Sequence, residues 1–174
     1  TPADTRRPPG IARRGRGVVI GVLDWGLDFP RRTFRRADGR SRILALWDQR
    51  AAAPGATNRY GYGIIHDRAA IEAALATADP CRALGYDAAD ADPFGTGAHG
   101  TAVADIAAGS GEVGGPPGMA PDADLAFVHL ASRGTSGLAN LGDSIGILEG
   151  LDFLRRVARG RPLVVSLSVG RHGG

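Results

Sequence analysis

The apolar positions of this chain fall into short blocks separated by glycine-rich and charged stretches, and their period changes from block to block. Val18–Leu23 is a nearly continuous apolar run, the pattern of a strand buried on both faces. Arg42–Trp47 (RILALW) and Ala123–Leu130 (ADLAFVHL) read as further strands, the first more weakly, and PLVVSLSVG at 162–170 supplies another. Between them the period lengthens to that of a helix. The stretch His66–Asp79 places Ile71, Ala74 and Leu75 on one side, with Asp67 as its N-cap. Thr101–Ala108 is a shorter helix carrying Val103, Ile106 and Ala107 and stopped by Gly109. The clearest helix is DSIGILEGLDFLRRVARG at 143–160. Asp143 reads as its cap and Leu148, Leu151 and Leu154 lie along one side. Arg155, Arg156 and Arg159 sit near its C-terminus, where positive charge suits the helix dipole, and Gly160 ends it. Asp79–Gly97 reads as loop.

Strands that alternate with helices predict an α/β fold, doubly wound, with a mostly parallel sheet and helices on both faces. The last strand is followed by no helix, which predicts an open sheet edge of the kind that is normally paired or covered. A length of 174 residues with 43% hydrophobic and 22% charged content fits one domain with a real core. The Pro-, Gly- and Arg-rich segment 1–17 is expected to be an irregular arm ahead of a domain over 18–174.

Charge is unevenly spread. All 21 basic residues are Arg, and residues 1–42 hold eleven of them against four Asp, while the remainder is net acidic. Such an arm suits a solvated leader. No aromatics interleave with Arg6, Arg7, Arg13, Arg14 and Arg16 as a single-strand binding surface needs, so no nucleic-acid partner is expected. No apolar run reaches membrane-spanning length and no signal-peptide pattern is visible, so no membrane partner is expected. With Thr1 at the head of the chain, this assigns no compartment. The single cysteine, Cys81, excludes an internal disulfide and reads as a packed or surface thiol.

Functional groups of open α/β sheets collect at the carboxyl ends of strands. Asp24 directly follows Val18–Leu23. His99 opens the Thr101–Ala108 helix, crowded by Gly97, Ala98 and Gly100. A helix N-terminus disfavours imidazolium and favours the neutral ring that a general base needs at rest. A buried carboxylate can hold the other ring nitrogen and stabilise the cation formed in a transition state. Pattern alone leaves two readings open: such a pair, or two unrelated turn residues.

Four blocks, VVIGVLDWGLD, AHGTAVADIAAGSG, GMAPDADLAFVHL and VVSLSVG, occur in an order that resembles the subtilisin-like serine proteases over about Val18–Gly170. The His99-Gly100-Thr101-x-Val103-Ala104 block is the most specific part. The resemblance implies a peptidase acting through Asp, His and Ser, with Asp24 as orienting aspartate and His99 as general base. It implies that Ser168, Val169 and Gly170 bind the backbone of a polypeptide substrate at an open edge. It implies no cofactor for catalysis, while leaving room for structural calcium. Three positions depart from the family pattern: Trp25 where Ser or Thr is usual, Ala102 in place of a second His, and Asp105 in place of Gly. The nucleophilic Ser and the oxyanion Asn belong C-terminal to all of these blocks. They are therefore expected on a separate C-terminal polypeptide that partners this chain. The alternative is a catalytically inactive, peptide-binding or regulatory module that keeps the groove.

Other motifs carry less. Ser136, in GTSGLAN, lies too soon after His99 and lacks the Met or Ala, then Ala and Pro, that follow the family nucleophile. Asn58 and Asn140 have no oxyanion context. GSGEVG at 109–114 follows a helix and meets Pro116-Pro117, so it fails the strand–turn–helix test for dinucleotide binding. His66, His129 and Cys81 show no zinc spacing, and His129 and His172 read as structural and loop residues. Asp87, Asp90 and Asp92 form an acidic loop that reads as solvated rather than as a calcium site.

Overall fold

The computed structural model describes residues 12–51, 57–89, 99–111, 114–131 and 140–168, without the side chains of 140–143. Five strands form one sheet: β1 (Val19–Asp24), β2 (Ile43–Asp48), β3 (Ile64–Asp67), β4 (Asp124–His129) and β5 (Leu163–Leu167). Their spatial order is β3-β2-β4-β1-β5. β1 is parallel to both β4 and β5, and β2 is parallel to β4; only β3 runs antiparallel, against β2. The helices are α1 (Arg68–Leu75), α2 (Pro80–Leu84), α3 (His99–Ala108) and α4 (Asn140–Ala158), with a single 3-10 turn at Arg32–Phe34.

Two-residue alternation along the strands divides the core between the two faces. Ile20, Val22, Ile43, Leu125 and Phe127 pack with Ile71 and Ala74 of α1 and with Ala104 and Ala108 of α3. Val19, Leu23, Ala126, Val128 and Trp47 pack with Phe153, Leu154 and Ala158 of α4. Helices thus cover both faces, and the expected mixed α/β architecture is the one observed.

Local elements differ from expectation in three places. Ile64–Asp67 is a short antiparallel edge strand, so the stretch expected as one helix from His66 divides. His66 pairs with Leu46 of β2, and the helix starts only at Arg68. Asp67 is nevertheless its N-cap, accepting from the Ala70 amide at 2.8 Å. Asp79–Gly97 is not all loop. Asp79 caps the one-turn α2, Pro80 stands at its start, and Gly85 closes it with a left-handed backbone (φ 68°). Finally, α4 begins at Asn140, which puts Asp143 inside the helix rather than at its cap. Leu148 on its expected apolar side is exposed, while Leu154 is buried.

The end of the basic arm is tied to the domain. Arg14 forms an ion pair with Asp122, whose amide donates to the Arg14 carbonyl at 2.8 Å. Residues 1–11 lie outside those described.

His66 sits buried in β3, and its Nε2 has no hydrogen-bond partner among the described residues. Burial pushes its pKa below the ordinary 6.5; Asp48 and Asp67 pull the other way more weakly. The unfolded chain therefore binds the proton more readily than the folded one. Stability from this group is complete above the unfolded pKa and is lost as pH falls below about 6.5. Urea unfolding between about pH 7.5 and pH 5 should show a smaller acid loss in His66→Gln than in the parent. Equal losses would assign the acid sensitivity elsewhere.

Candidate active site

Asp24 ends β1, and its register partner at the end of β4 is His129. The chain then turns sharply, with Gly26 at φ 70°. Asp24 is fully buried, and its Oδ1 accepts from the Trp25 amide at 2.6 Å and meets His99 Nδ1 at 2.5 Å. The His99 ring remains 42% exposed. A neutral His99 with its proton on Nδ1 donates to the carboxylate and leaves Nε2 a lone pair for an incoming proton. The arrangement can therefore serve as an oriented general base whose cationic form has a buried counter-charge.

The first three residues of α3 each grip Asp24 or the turn that follows it. His99 meets the carboxylate. The Gly100 amide donates to the Trp25 carbonyl at 2.7 Å. Thr101 Oγ1 accepts from the Asp28 amide at 2.8 Å and lies 3.4 Å from the Gly26 carbonyl oxygen. Smallness at position 100 thus has a local cause beyond ligand access. A Cβ there would stand 2.7 Å from the carbonyl oxygens of Trp25 and Gly26 and from the Phe127 ring. Gly100→Ala is expected to lose about 1–3 kcal/mol in urea unfolding, the usual range for overpacking a tight site. A loss under about 0.5 kcal/mol would mean that the helix start can retreat without strain. Gly97 and Ala98 lie outside the described residues.

The departures noted in the sequence acquire local explanations. Trp25 stands edge-on to His99, with ring centroids 6.1 Å apart, and its buried indole N–H has no hydrogen-bond partner among the described residues. Asp105 binds the Thr33 hydroxyl at 2.6 Å, joining α3 to the 3-10 turn. Ala102 is exposed.

Ser168 lies one residue beyond the Leu23–Leu167 pair that ends the β1–β5 ladder, while Val169 and Gly170 lie outside the described residues. β5 is an outer strand of the sheet, with Val164 and Leu167 exposed. Ser136, His172, Asp90 and Asp92 also fall outside the description. Among the described residues no group of three or more His, Cys, Asp or Glu could hold a metal ion, and no helix is long and apolar enough to cross a membrane. Cys81 is a free thiol, half-buried, with its pKa raised mainly by burial.

The family model of the subtilases, Peptidase_S8, matches residues 15–174. The chain belongs to the subtilase family. Among solved structures, this subtilase chain resembles the Clostridium perfringens CspB protease with a TM-score of 0.70 and 26% identity. The similarity covers 95% of this chain and 32% of the CspB protease chain, so the 174 residues span about a third of that neighbour. No curated protein matches the chain.

Asp24 stands at a strand end and His99 at a helix start, as the sequence predicts, and the structure brings the two into contact. The sequence does not single out Tyr86, and it reads His129 as structural. The Tyr86 hydroxyl meets His129 Nδ1 at 2.8 Å, both side chains are buried, and both reach the turn after Asp24. The available signal was a histidine among apolar residues at the carboxyl end of a strand adjacent to the one that ends in Asp24.

Proposed function

We propose that this subtilase chain is the Asp- and His-bearing part of a serine endopeptidase that hydrolyses peptide bonds by acyl transfer. The observation that carries the reading is the 2.5 Å contact of His99 Nδ1 with the buried Asp24 carboxylate at the carboxyl end of β1. In this reading His99 Nε2 takes the proton of a serine hydroxyl as its oxygen attacks the scissile carbonyl. The same nitrogen then returns the proton to the leaving amine, while Asp24 holds the ring and stabilises its cation. The serine and an oxyanion-binding Asn come from the part of the peptidase that lies C-terminal to β5. Without the Asn donor the rate falls by roughly two to three decades, and without the serine no acyl-enzyme forms.

The substrate is an extended polypeptide whose backbone runs beside the end of β5, at Ser168, Val169 and Gly170. Support comes from the outer position of β5 and its exposed Val164 and Leu167. No cofactor takes part in the chemistry.

A serine-directed phosphonate probe tests this reading. The expected result is covalent label on a serine C-terminal to β5 in the complete peptidase, lost in His99→Ala. Peptide binding without any label on a complete assembly would overturn it in favour of a non-catalytic peptide-binding module.

A further inference from the structure

β1 ends at Asp24, so the amides of Gly26 and Leu27 leave the ladder at the point where the chain turns toward His99. Buried amides need partners, and both of these find side chains from distant segments. The Gly26 amide donates to His129 Nε2 at 3.1 Å, and the Leu27 amide donates to the Tyr86 hydroxyl at 2.9 Å. Tyr86 and His129 meet each other at 2.8 Å through Nδ1. Because Nε2 accepts from Gly26, the hydrogen-bond pattern puts the His129 proton on Nδ1, which donates to the Tyr86 oxygen. Burial pushes the Tyr86 pKa up, which keeps the phenol neutral.

We infer that His129 and Tyr86 are positioning residues for the Asp24–His99 pair: together they clamp the Gly26–Leu27 backbone and thereby fix the carboxylate against the imidazole. This rests on the peptidase reading and deepens it. The link to His99 is short and continuous. The clamped turn carries the Trp25 amide that binds Asp24 Oδ1 and the Trp25 carbonyl that receives the Gly100 amide beside His99. The Leu130 amide, next to His129, donates to the Asp24 carbonyl at 3.1 Å. One end of β4 therefore holds both the strand end and the turn that follows it. The clamp also connects the pair to the segment after α2, since Tyr86 follows the Gly85 that closes that helix. Arg50 stacks over the outer part of the device, 5.8 Å from the Tyr86 ring centroid.

The test uses the full chain labelled with 15N and does not depend on peptidase activity. In the parent, His129 nitrogen shifts should report a protonated Nδ1 and an accepting Nε2, and the His99 Nδ1 proton should resonate far downfield. A proton on His129 Nε2 would overturn the clamp without any variant being made. Tyr86→Phe and His129→Leu should speed hydrogen exchange at Leu27 and Gly26, respectively, about ten-fold relative to amides elsewhere in the sheet. Both should move the His99 Nδ1 proton upfield. His129→Gln keeps an acceptor for Gly26, so its shift should be smaller than that of His129→Leu. Folded variants that leave the His99 resonance in place would reduce both residues to ordinary core members and overturn the proposal. Asp24→Asn, run in parallel, separates the two ideas: if it leaves the His99 resonance unmoved, the Asp24–His99 pair itself fails, and the peptidase reading with it.

Discussion

If the proposed peptidase function holds, Asp24→Asn is expected to lower its kcat about 10⁴-fold while leaving KM and the fold nearly unchanged. The reason is tautomeric rather than steric. The carboxylate can only accept, so it keeps a proton on His99 Nδ1 and leaves Nε2 bare. An asparagine of the same shape presents an N–H₂ group as well as an oxygen. When the N–H₂ faces Nδ1, the ring must carry its proton on Nε2, where it cannot receive another. The Trp25 amide donates to the same Oδ1 that meets His99 Nδ1, at 2.6 Å, so an asparagine that turns its N–H₂ toward the ring also gives up that backbone hydrogen bond. The side chain is wholly buried, and the substitution changes neither volume nor shape, so the unfolding midpoint serves as a control. Steady-state kinetics on a peptide substrate, together with burst amplitude, provide the check. A loss below about ten-fold would mean that His99 is oriented by something other than Asp24.

How much of this was legible in the sequence depends on the range of the interaction concerned. Asp24 and His99 are 75 residues apart, yet each announces itself locally, one by closing an apolar run and the other by opening a helix behind small residues. β1 and β4 were legible because burial on both faces makes them largely apolar. β3 was not, because four residues with one polar-facing edge carry too little period to separate a strand from the start of α1. α2 had its signals in plain view, Asp79 and Pro80 before it and Gly85 after, but is too short for any periodicity. Tyr86 and His129 were illegible for a different reason. Their part depends on a hydrogen bond across 43 residues and on backbone amides whose need for partners appears only once β1 is seen to stop at Asp24.

Removing Arg50 should produce the largest loss of stability: Arg50→Met is expected to cost about 3–5 kcal/mol in urea unfolding. Arg50 and Asp48 are both nearly inaccessible, with side chains 6% and 5% exposed. The carboxylate is wrapped by its neighbour: Oδ1 accepts from the Arg50 amide at 3.0 Å and from Nε at 2.9 Å, and Oδ2 accepts from Nη2 at 3.0 Å. Methionine replaces the stem of the arginine but none of its side-chain donors, so Asp48 is left as an uncompensated buried charge. That penalty, and not the attraction of the original pair, sets the expected magnitude, because two charges brought out of water together gain little net stability. The double variant Asp48→Leu with Arg50→Met should therefore recover most of the loss. A double variant no more stable than the single would contradict this account and point to the other bonds of Arg50. One of these runs from Nη2 to the Asp87 carbonyl at 2.8 Å, just beyond Tyr86. The same comparison bears on the site. The guanidinium lies over the Tyr86 ring, so in a single variant that still folds, the Leu27 amide should exchange faster than in the parent. The double variant should restore stability more fully than it restores protection at Leu27, since it repairs the buried charge but not the cation over the ring.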